Sequence, residues 1–158
     1  MGLKWLKLLW RNSPQSRKAP LANLLMLDIL IKSDTRYPVN RKIIRKAVTD
    51  TLAKQEIGNI SAEVSIAVVG KRKMKMLCDK YLGDGEIHEV LTFPFEEITQ
   101  KVGRQGFVNP PGGQLVLGDV ILCWPQVLNM AAFDDVLVDD EVYLLIAHGM
   151  EHLLGKHH

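Results

Sequence analysis

Three histidines near the C-terminal end of the chain have the spacing of ligands to one metal ion. His148 and His152 are four residues apart, so on a helix their side chains share a face, with Cβ atoms roughly 6 Å apart. Gly155 can adopt the left-handed conformation that ends a helix, and His158 can then supply a third imidazole. Three imidazoles leave a fourth position open, as in catalytic zinc sites. We therefore predict one zinc ion per chain; nickel, copper and iron also suit these ligands.

The residue after the first histidine argues against peptide hydrolysis. The spacing HxxxHxxGxxH is shared with metzincin proteases, which place a glutamate directly after the first histidine as general base. This chain has Gly149 there. The nearby Glu151 would be rotated by roughly 100° from the direction of His152 on a helix. His157 is an alternative third ligand, although the spacing favours His158.

Hydrophobic periodicity predicts the elements that position these histidines. The last helix is expected to start near Asp139, with acidic residues at the positive end of its dipole. A second helix is expected from Asn40, a candidate N-cap. The other expected elements are strands at 24–31, 64–69, 90–95 and 119–123, helices at 71–82 and 126–132, and a glycine- and proline-rich loop at 101–114.

Charge and composition divide the chain into an N-terminal extension, residues 1–20, and a single domain, residues 21–158. The first 27 residues carry five basic side chains and no acidic one, whereas the remainder has 15 basic and 18 acidic residues, a net charge of −3. The charge of this remainder therefore does not indicate a basic nucleic-acid-binding domain. The extension has an amphipathic pattern, with Trp5, Leu6, Leu8, Leu9 and Trp10 opposite Lys4, Lys7 and Arg11. It is either a helix that binds a ribosome or membrane surface or, more commonly for a terminus, a poorly ordered segment.

Cysteine usage and hydropathy indicate a cytoplasmic protein. Cys78 and Cys123 are far apart and form no CxxC motif, so we expect buried, reduced thiols. No apolar run reaches the length of a membrane span, and no small-residue cleavage site follows the apolar start of the chain.

Two further features are candidates for contact with a substrate. Lys71, Arg72, Lys73 and Lys75 begin the helix predicted at 71–82 and could bind an RNA backbone; a solvated helix start explains them equally well. His88 lies in the loop before the third strand and could approach the metal, although we expect a surface histidine.

Three sequence blocks resemble the YbeY family of bacterial metal-dependent endoribonucleases, also described as rRNA maturation factors. The family pattern H-G-x-x-H-L-x-G-x-x-H is matched from His148 to His158. The segment Val90–Pro94, VLTFP, is similar to the family's VLSFP, and Gly118–Cys123, GDVILC, is similar to its GD-[IL]-x-I-C strand. The resemblance covers about residues 24–158.

The resemblance implies an α+β fold, in which a small mixed four-stranded sheet packs against helices and the metal site lies on the C-terminal helix and the following turn. It implies zinc on His148, His152 and His158. It also implies hydrolysis of single-stranded RNA, with roles in maturing the 3′ end of small-subunit rRNA and in ribosome quality control. The expected partners are therefore RNA and the small ribosomal subunit.

Several positions depart from the family pattern and keep two alternatives open. Leu82 stands where many members have an arginine thought important for activity, the segment from Asp84 to Glu89 lacks the usual Pro-Thr-Asp or Pro-Thr-Asn, and His157 replaces a frequent aspartate. One alternative is a metal-dependent hydrolase of another substrate. The other is a ribosome assembly factor without enzymatic activity, in which zinc only holds the C-terminus.

Overall fold

The computed structural model describes residues 26–55, 61–95 and 114–156. In chain order these residues form strand β1, helix α1, strand β2, helix α2, strands β3 and β4, and helices α3 and α4. Their bounds are Met26–Ser33 (β1), Arg41–Lys54 (α1), Ser61–Val69 (β2), Lys71–Tyr81 (α2), Val90–Pro94 (β3), Leu115–Cys123 (β4), Trp124–Phe133 (α3) and Val138–Leu153 (α4). The expected α+β fold with a four-stranded mixed sheet is confirmed. Within the described ranges, no helix is long and apolar enough to cross a membrane.

The four strands form one sheet in the order β1-β2-β4-β3. Strands β1, β2 and β4 are parallel, and β3 runs antiparallel along β4 as an edge strand. Each parallel neighbour is reached through a crossover, as parallel pairing requires. Strand β4 begins at Leu115, four residues before the expected start. The register shifts where Glu63 pairs with Val116 and Val64 with Gly118, so β4 holds one extra residue, a β-bulge.

One face of the sheet, here called the inner face, packs against α1 and α4. Alternate residues of β2, from Ala62 to Val68, enter this core together with Leu117, Val120 and Leu122 of β4. Helix α1 begins as expected, because the Asn40 side chain accepts a hydrogen bond from the Lys42 backbone N–H at 3.1 Å. The Asn40 amide also donates to Asp139 of α4 at 2.8 Å, and Tyr143 of α4 donates to Asp50 of α1 at 2.7 Å. These bonds fix α4 against α1.

The opposite, outer face of the sheet is partly covered by α2. Met74 and Cys78 of α2 pack with Leu91 of β3 and with Val69 and Cys123 at the ends of β2 and β4. Both cysteines are free and buried, as expected, and burial raises the pKa of the Cys123 thiol.

Helix α3 begins two residues earlier than the expected 126–132. It starts at Trp124, directly after β4, with Pro125 in its first turn. Proline suits that position, because the backbone N–H that it lacks has no partner within the helix there. The dipeptide Trp124-Pro125 therefore ends the strand and starts the helix at the same point.

Candidate metal centre

The last helix delivers the first two predicted ligands. Helix α4 begins at Val138, one residue before the expected start, with Asp139, Asp140 and Glu141 in its first turn. Acidic side chains there favour the helix through its dipole. Eight residues of α4 are buried, among them Leu145, Ile146 and Met150. His148 and His152 are each partly buried on the same helix, so the core holds their backbone while their side chains stay partly exposed.

The two imidazole rings converge as the spacing predicts. Their Nε2 atoms are 3.0 Å apart, with ring centroids 4.5 Å apart and ring planes at 84°. Two nitrogens that bind one tetrahedral zinc ion at about 2.0–2.1 Å lie about 3.3 Å apart. The pair is thus within a few tenths of an ångström of a two-ligand arrangement. The same separation also lets one neutral imidazole donate its N–H to the other.

The histidine pair faces the β3 side of the sheet. Viewed along the axis of α4, Asp139 and Tyr143, which hydrogen-bond to α1, are rotated roughly 80–120° from Gly149 in one direction. His148 and His152 are rotated roughly 60–100° from Gly149 in the opposite direction. Gly149 itself approaches Val120 of β4 and Thr92 of β3. The histidines therefore project away from α1, towards the edge strand.

Gly149 has a packing role that the sequence pattern does not reveal. A Cβ atom at this position would lie 2.9 Å and 3.3 Å from the two γ-carbons of Val120 and 3.2 Å from Cγ2 of Thr92. Helix α4 comes this close to the sheet only because residue 149 has no side chain. A glutamate, which metzincins carry at this position, would collide with Val120 and Thr92. The close packing of α4 on the sheet therefore excludes the general base of those proteases.

We expect Gly149→Ala to lower the free energy of unfolding by roughly 1 kcal/mol, the overpacking cost less the gain in helix propensity. The alanine gains up to about 1 kcal/mol of helix propensity, but overpacking typically costs about 1–3 kcal/mol. Urea unfolding of Gly149→Ala, Val120→Ala and the double variant forms a double-mutant cycle. If Val120→Ala does not recover part of the loss in the double variant, the contact is not its cause.

Beyond the helix, Gly155 has a φ of +83°, the left-handed conformation expected of a residue that ends a helix. The backbone N–H of Lys156 donates to the Glu151 carbonyl at 3.0 Å, and that of Gly155 to the His152 carbonyl at 3.0 Å. The chain thus turns directly after the second histidine, as the motif requires. His157 and His158 lie outside the described residues, so the third ligand stays a prediction.

A second group of possible ligands lies in the loop between α2 and β3. Asp84, Glu86 and His88 each offer a ligand atom, and these atoms lie within 4.8 Å of one another. Nε2 of His88 is 2.6 Å from Oδ2 of Asp84. The hydrogen bond from His88 and that from the Glu86 backbone N–H hold the pKa of the Asp84 carboxyl below its usual range. Of these three residues, only His88 was predicted from the sequence as a possible neighbour of a metal; the alternation D-x-E-x-H after Gly83 is the sequence signal for the whole group.

The residues proposed to contact RNA lie on α2. Lys71, Arg72 and Lys73 are exposed in its first turn, whereas Lys75 forms an ion pair with Asp79 one turn later. Leu82, at the family's arginine position, is the C-cap residue of α2 and is 50% exposed. An exposed leucine offers no donor to a phosphate group.

Several known proteins that share one name are similar to this chain over most of its length. Endoribonuclease YbeY of Dehalococcoides mccartyi strain 195 is 29% identical over 147 residues, covering 92% of this chain and 85% of the relative. The protein of the same name from strain CBDB1 is 31% identical over 134 residues, covering 84% and 80%, and that of Cutibacterium acnes is 32% identical over 133 residues, covering 84% and 81%.

A solved structure shows the same fold. The solution structure of TM1509 from Thermotoga maritima superposes with a TM-score of 0.51 at 21% identity, covering 83% of this chain and 73% of that chain. The family model described as endoribonuclease YbeY matches residues 30–158, which include all four strands from Leu30 onward and the whole HxxxHxxGxxH segment. The chain therefore belongs to the YbeY endoribonuclease family.

Proposed function

We propose that this protein is a zinc-dependent endoribonuclease that hydrolyses single-stranded RNA. The observation that carries the proposal is the convergence of the His148 and His152 rings, with Nε2 atoms 3.0 Å apart, on a chain that belongs to an endoribonuclease family. The proposed ligands are His148, His152 and His158, with one ion per chain. The relatives' name supports RNA as the substrate.

Different side chains would bind the metal ion and the RNA. His148 and His152 would hold the ion through neutral imidazoles, because a protonated ring cannot bind a metal. When bound, such an ion lowers the pKa of a coordinated water and neutralises charge on the phosphate. Lys71, Arg72 and Lys73 are candidates to hold a part of the RNA backbone farther from the ion, because they begin α2, on the face of the sheet opposite α4. Leu82 cannot contribute a positive charge, so charge neutralisation would depend on these other groups.

The position of the histidine pair favours a single strand over a duplex. Both residues are partly buried and lie on the side of α4 away from its contacts with α1. An unstacked strand can bring one phosphate close to such a recessed pair, whereas a duplex presents its phosphates on a wide cylinder. We propose that the physiological substrate is the 3′ end of small-subunit rRNA, in the cytoplasm, and that the activity also serves ribosome quality control.

We expect a chelator to abolish cleavage and stoichiometric zinc to restore it. The purified full chain is assayed for bound metal and for cleavage of a labelled single-stranded RNA, with the same RNA annealed to its complement as control. RNA that stays intact when each chain holds one ion would contradict the nuclease proposal.

Intact RNA, together with binding to the small ribosomal subunit, would favour the alternative of an assembly factor without enzymatic activity. The exposed Leu82 is the observation that supports this alternative. Metal-dependent turnover of a small ester without RNA cleavage would favour another hydrolase.

A further inference from the structure

Strand β1 forms one edge of the sheet. It has eight residues, Met26–Ser33, with no proline or glycine among them, and within the described ranges it pairs only with β2, in a regular register. Edge strands that stay unpaired are usually short, bulged, interrupted by proline or protected by charges. Strand β1 is long and regular, so the two charges that it carries, Asp28 and Lys32, decide what can pair with it.

The side chains of β1 leave both faces of this edge incompletely covered. Leu27, Ile29 and Ile31 lie on the inner face, where they pack against the core but stay partly exposed. The side chains on the outer face are exposed: Met26, Asp28, Leu30 and Lys32. Leu30, near the centre of the strand, is 51% exposed. A strand added at this edge would therefore cover apolar side chains on both faces of the sheet.

The two charges of β1 are placed symmetrically about Leu30. Asp28 lies two residues before Leu30 and Lys32 two residues after it, and all three share the outer face. Directly opposite residues of an antiparallel pair lie on the same face. A two-fold axis through Leu30 would therefore place Asp28 of each copy opposite Lys32 of the other. On the inner face, Ile29 of each copy would lie opposite Ile31 of the other.

Other self-pairing registers lose this complementarity. A register that keeps the inner and outer faces continuous must place the two-fold axis on a residue, because side chains alternate between the faces. An axis on Asp28 or on Lys32 would bring like charges directly opposite each other, which is destabilising. An axis on Ile29 or on Ile31 would leave neither charge opposite its counterpart. The charges of β1 therefore select the register that is centred on Leu30.

We propose that two copies of this chain form a dimer through antiparallel pairing of their β1 strands, centred on Leu30. The pairing joins the two four-stranded sheets into one continuous sheet. The Asp28 carboxylate already accepts a hydrogen bond from the Gln114 side chain at 2.7 Å, but a carboxylate accepts several such bonds, so it can also bind Lys32 of the other copy. Strand β3 is the opposite edge of each sheet, so the dimer does not depend on the proposed nuclease function.

Cysteine cross-linking tests the register. In the full chain, Leu30→Cys should give a disulfide-linked dimer on air oxidation, because directly opposite Cα atoms lie about 4.5–5.5 Å apart, within the range of a disulfide. The matched control is Met26→Cys, which is on the same face and 60% exposed in the native chain, but whose two copies would lie about 26 Å apart. The buried Cys78 and Cys123 give the background in the parent chain. Equal cross-linking of both variants, or none of Leu30→Cys, overturns the proposal.

Charge variants test the ion pairs, with the dimer followed by sedimentation. Asp28→Lys and Lys32→Asp each bring like charges opposite each other and should each weaken the dimer about 10-fold or more. An equal mixture of the two variants restores opposite charges at both positions and should form a heterodimer about as strong as the wild-type dimer. Because only folded chains can pair in this way, such recovery also shows that each variant folds.

The control for net charge is Asp79→Lys on the exposed side of α2, which should leave the dimer unchanged. A wild-type chain that is monomeric at every concentration reached overturns the proposal. A dimer that neither charge variant weakens also overturns it, because the interface then lies elsewhere.

Discussion

His152→Ala is expected to lower the rate of RNA cleavage by about 100-fold or more, since even residues that merely support a metal ligand contribute about 10–100-fold. Bound zinc should fall below one ion per chain at the same time. His152 is only partly buried, and the core contacts of α4 come from other residues such as Leu145 and Met150. The variant should therefore stay folded, and its thermal unfolding should resemble that of the wild type.

The matched control for this prediction is His88→Ala. This histidine is also partly exposed, and it hydrogen-bonds Asp84 in the second ligand group. We expect His88→Ala to keep both the metal and the cleavage rate. The opposite pattern, with metal lost from His88→Ala and retained by His152→Ala, would move the metal centre to Asp84, Glu86 and His88. Circular dichroism of each variant separates loss of the site from loss of the fold.

Gly118→Ala is expected to lower the free energy of unfolding by about 3 kcal/mol or more. Gly118 lies at the bulge of β4 with a φ of +135°, and a Cβ atom there would be 2.2 Å from the carbonyl oxygen of Phe93 and 3.0 Å from Cα of Pro94. Backbone strain of about 1–3 kcal/mol adds to an overpacking cost of about 1–3 kcal/mol. A third neighbour, Cδ2 of Leu153 at 3.0 Å, is a side-chain atom that can shift, but the Phe93 and Pro94 atoms belong to the backbone of β3 and cannot move aside as easily.

Gly85→Ala separates the two contributions to that loss. Gly85 also has a positive φ, +76°, but a Cβ there would meet no atom within 4 Å. Gly85→Ala should therefore lower the free energy of unfolding only by the backbone strain, about 1–2 kcal/mol. Urea unfolding of both variants gives the difference. Equal losses would show that β3 does not press on residue 118, and the account of the bulge would be wrong.

The types and order of the elements were predictable from the sequence because periodicity and capping are local properties. The apolar repeat after Asn40 and the acidic start of α4 each placed a helix within one residue of its observed start. The blocks VLTFP and GDVILC indicated the family, and the family match confirms it. The convergence of His148 and His152 followed from helical spacing alone.

Features that depend on contacts between distant segments were not predictable. The sequence placed the start of β4 at Asp119, because Gly118 interrupts a strand pattern and only pairing with β2 extends the strand back to Leu115. The tight approach of Gly149 to Val120 depends on how α4 lies over the sheet. The contact of His88 with Asp84 depends on a turn in which Gly83 and Gly85 both have positive φ. The full ligand set remains a prediction.

The hydrogen bonds between α1 and α4 make the placement of the histidine pair on the sheet a late step of folding. Asn40 and Asp139 are 99 residues apart in the chain, and Asp50 and Tyr143 are 93 apart. Contacts of such long range form slowly, because the intervening chain must be closed into a loop first. During synthesis the ribosome must therefore make nearly the whole domain before α4 can pack against α1. In a nascent or partly folded chain, helical spacing can align the two histidines with each other, but their position on the sheet is fixed only when the core is complete.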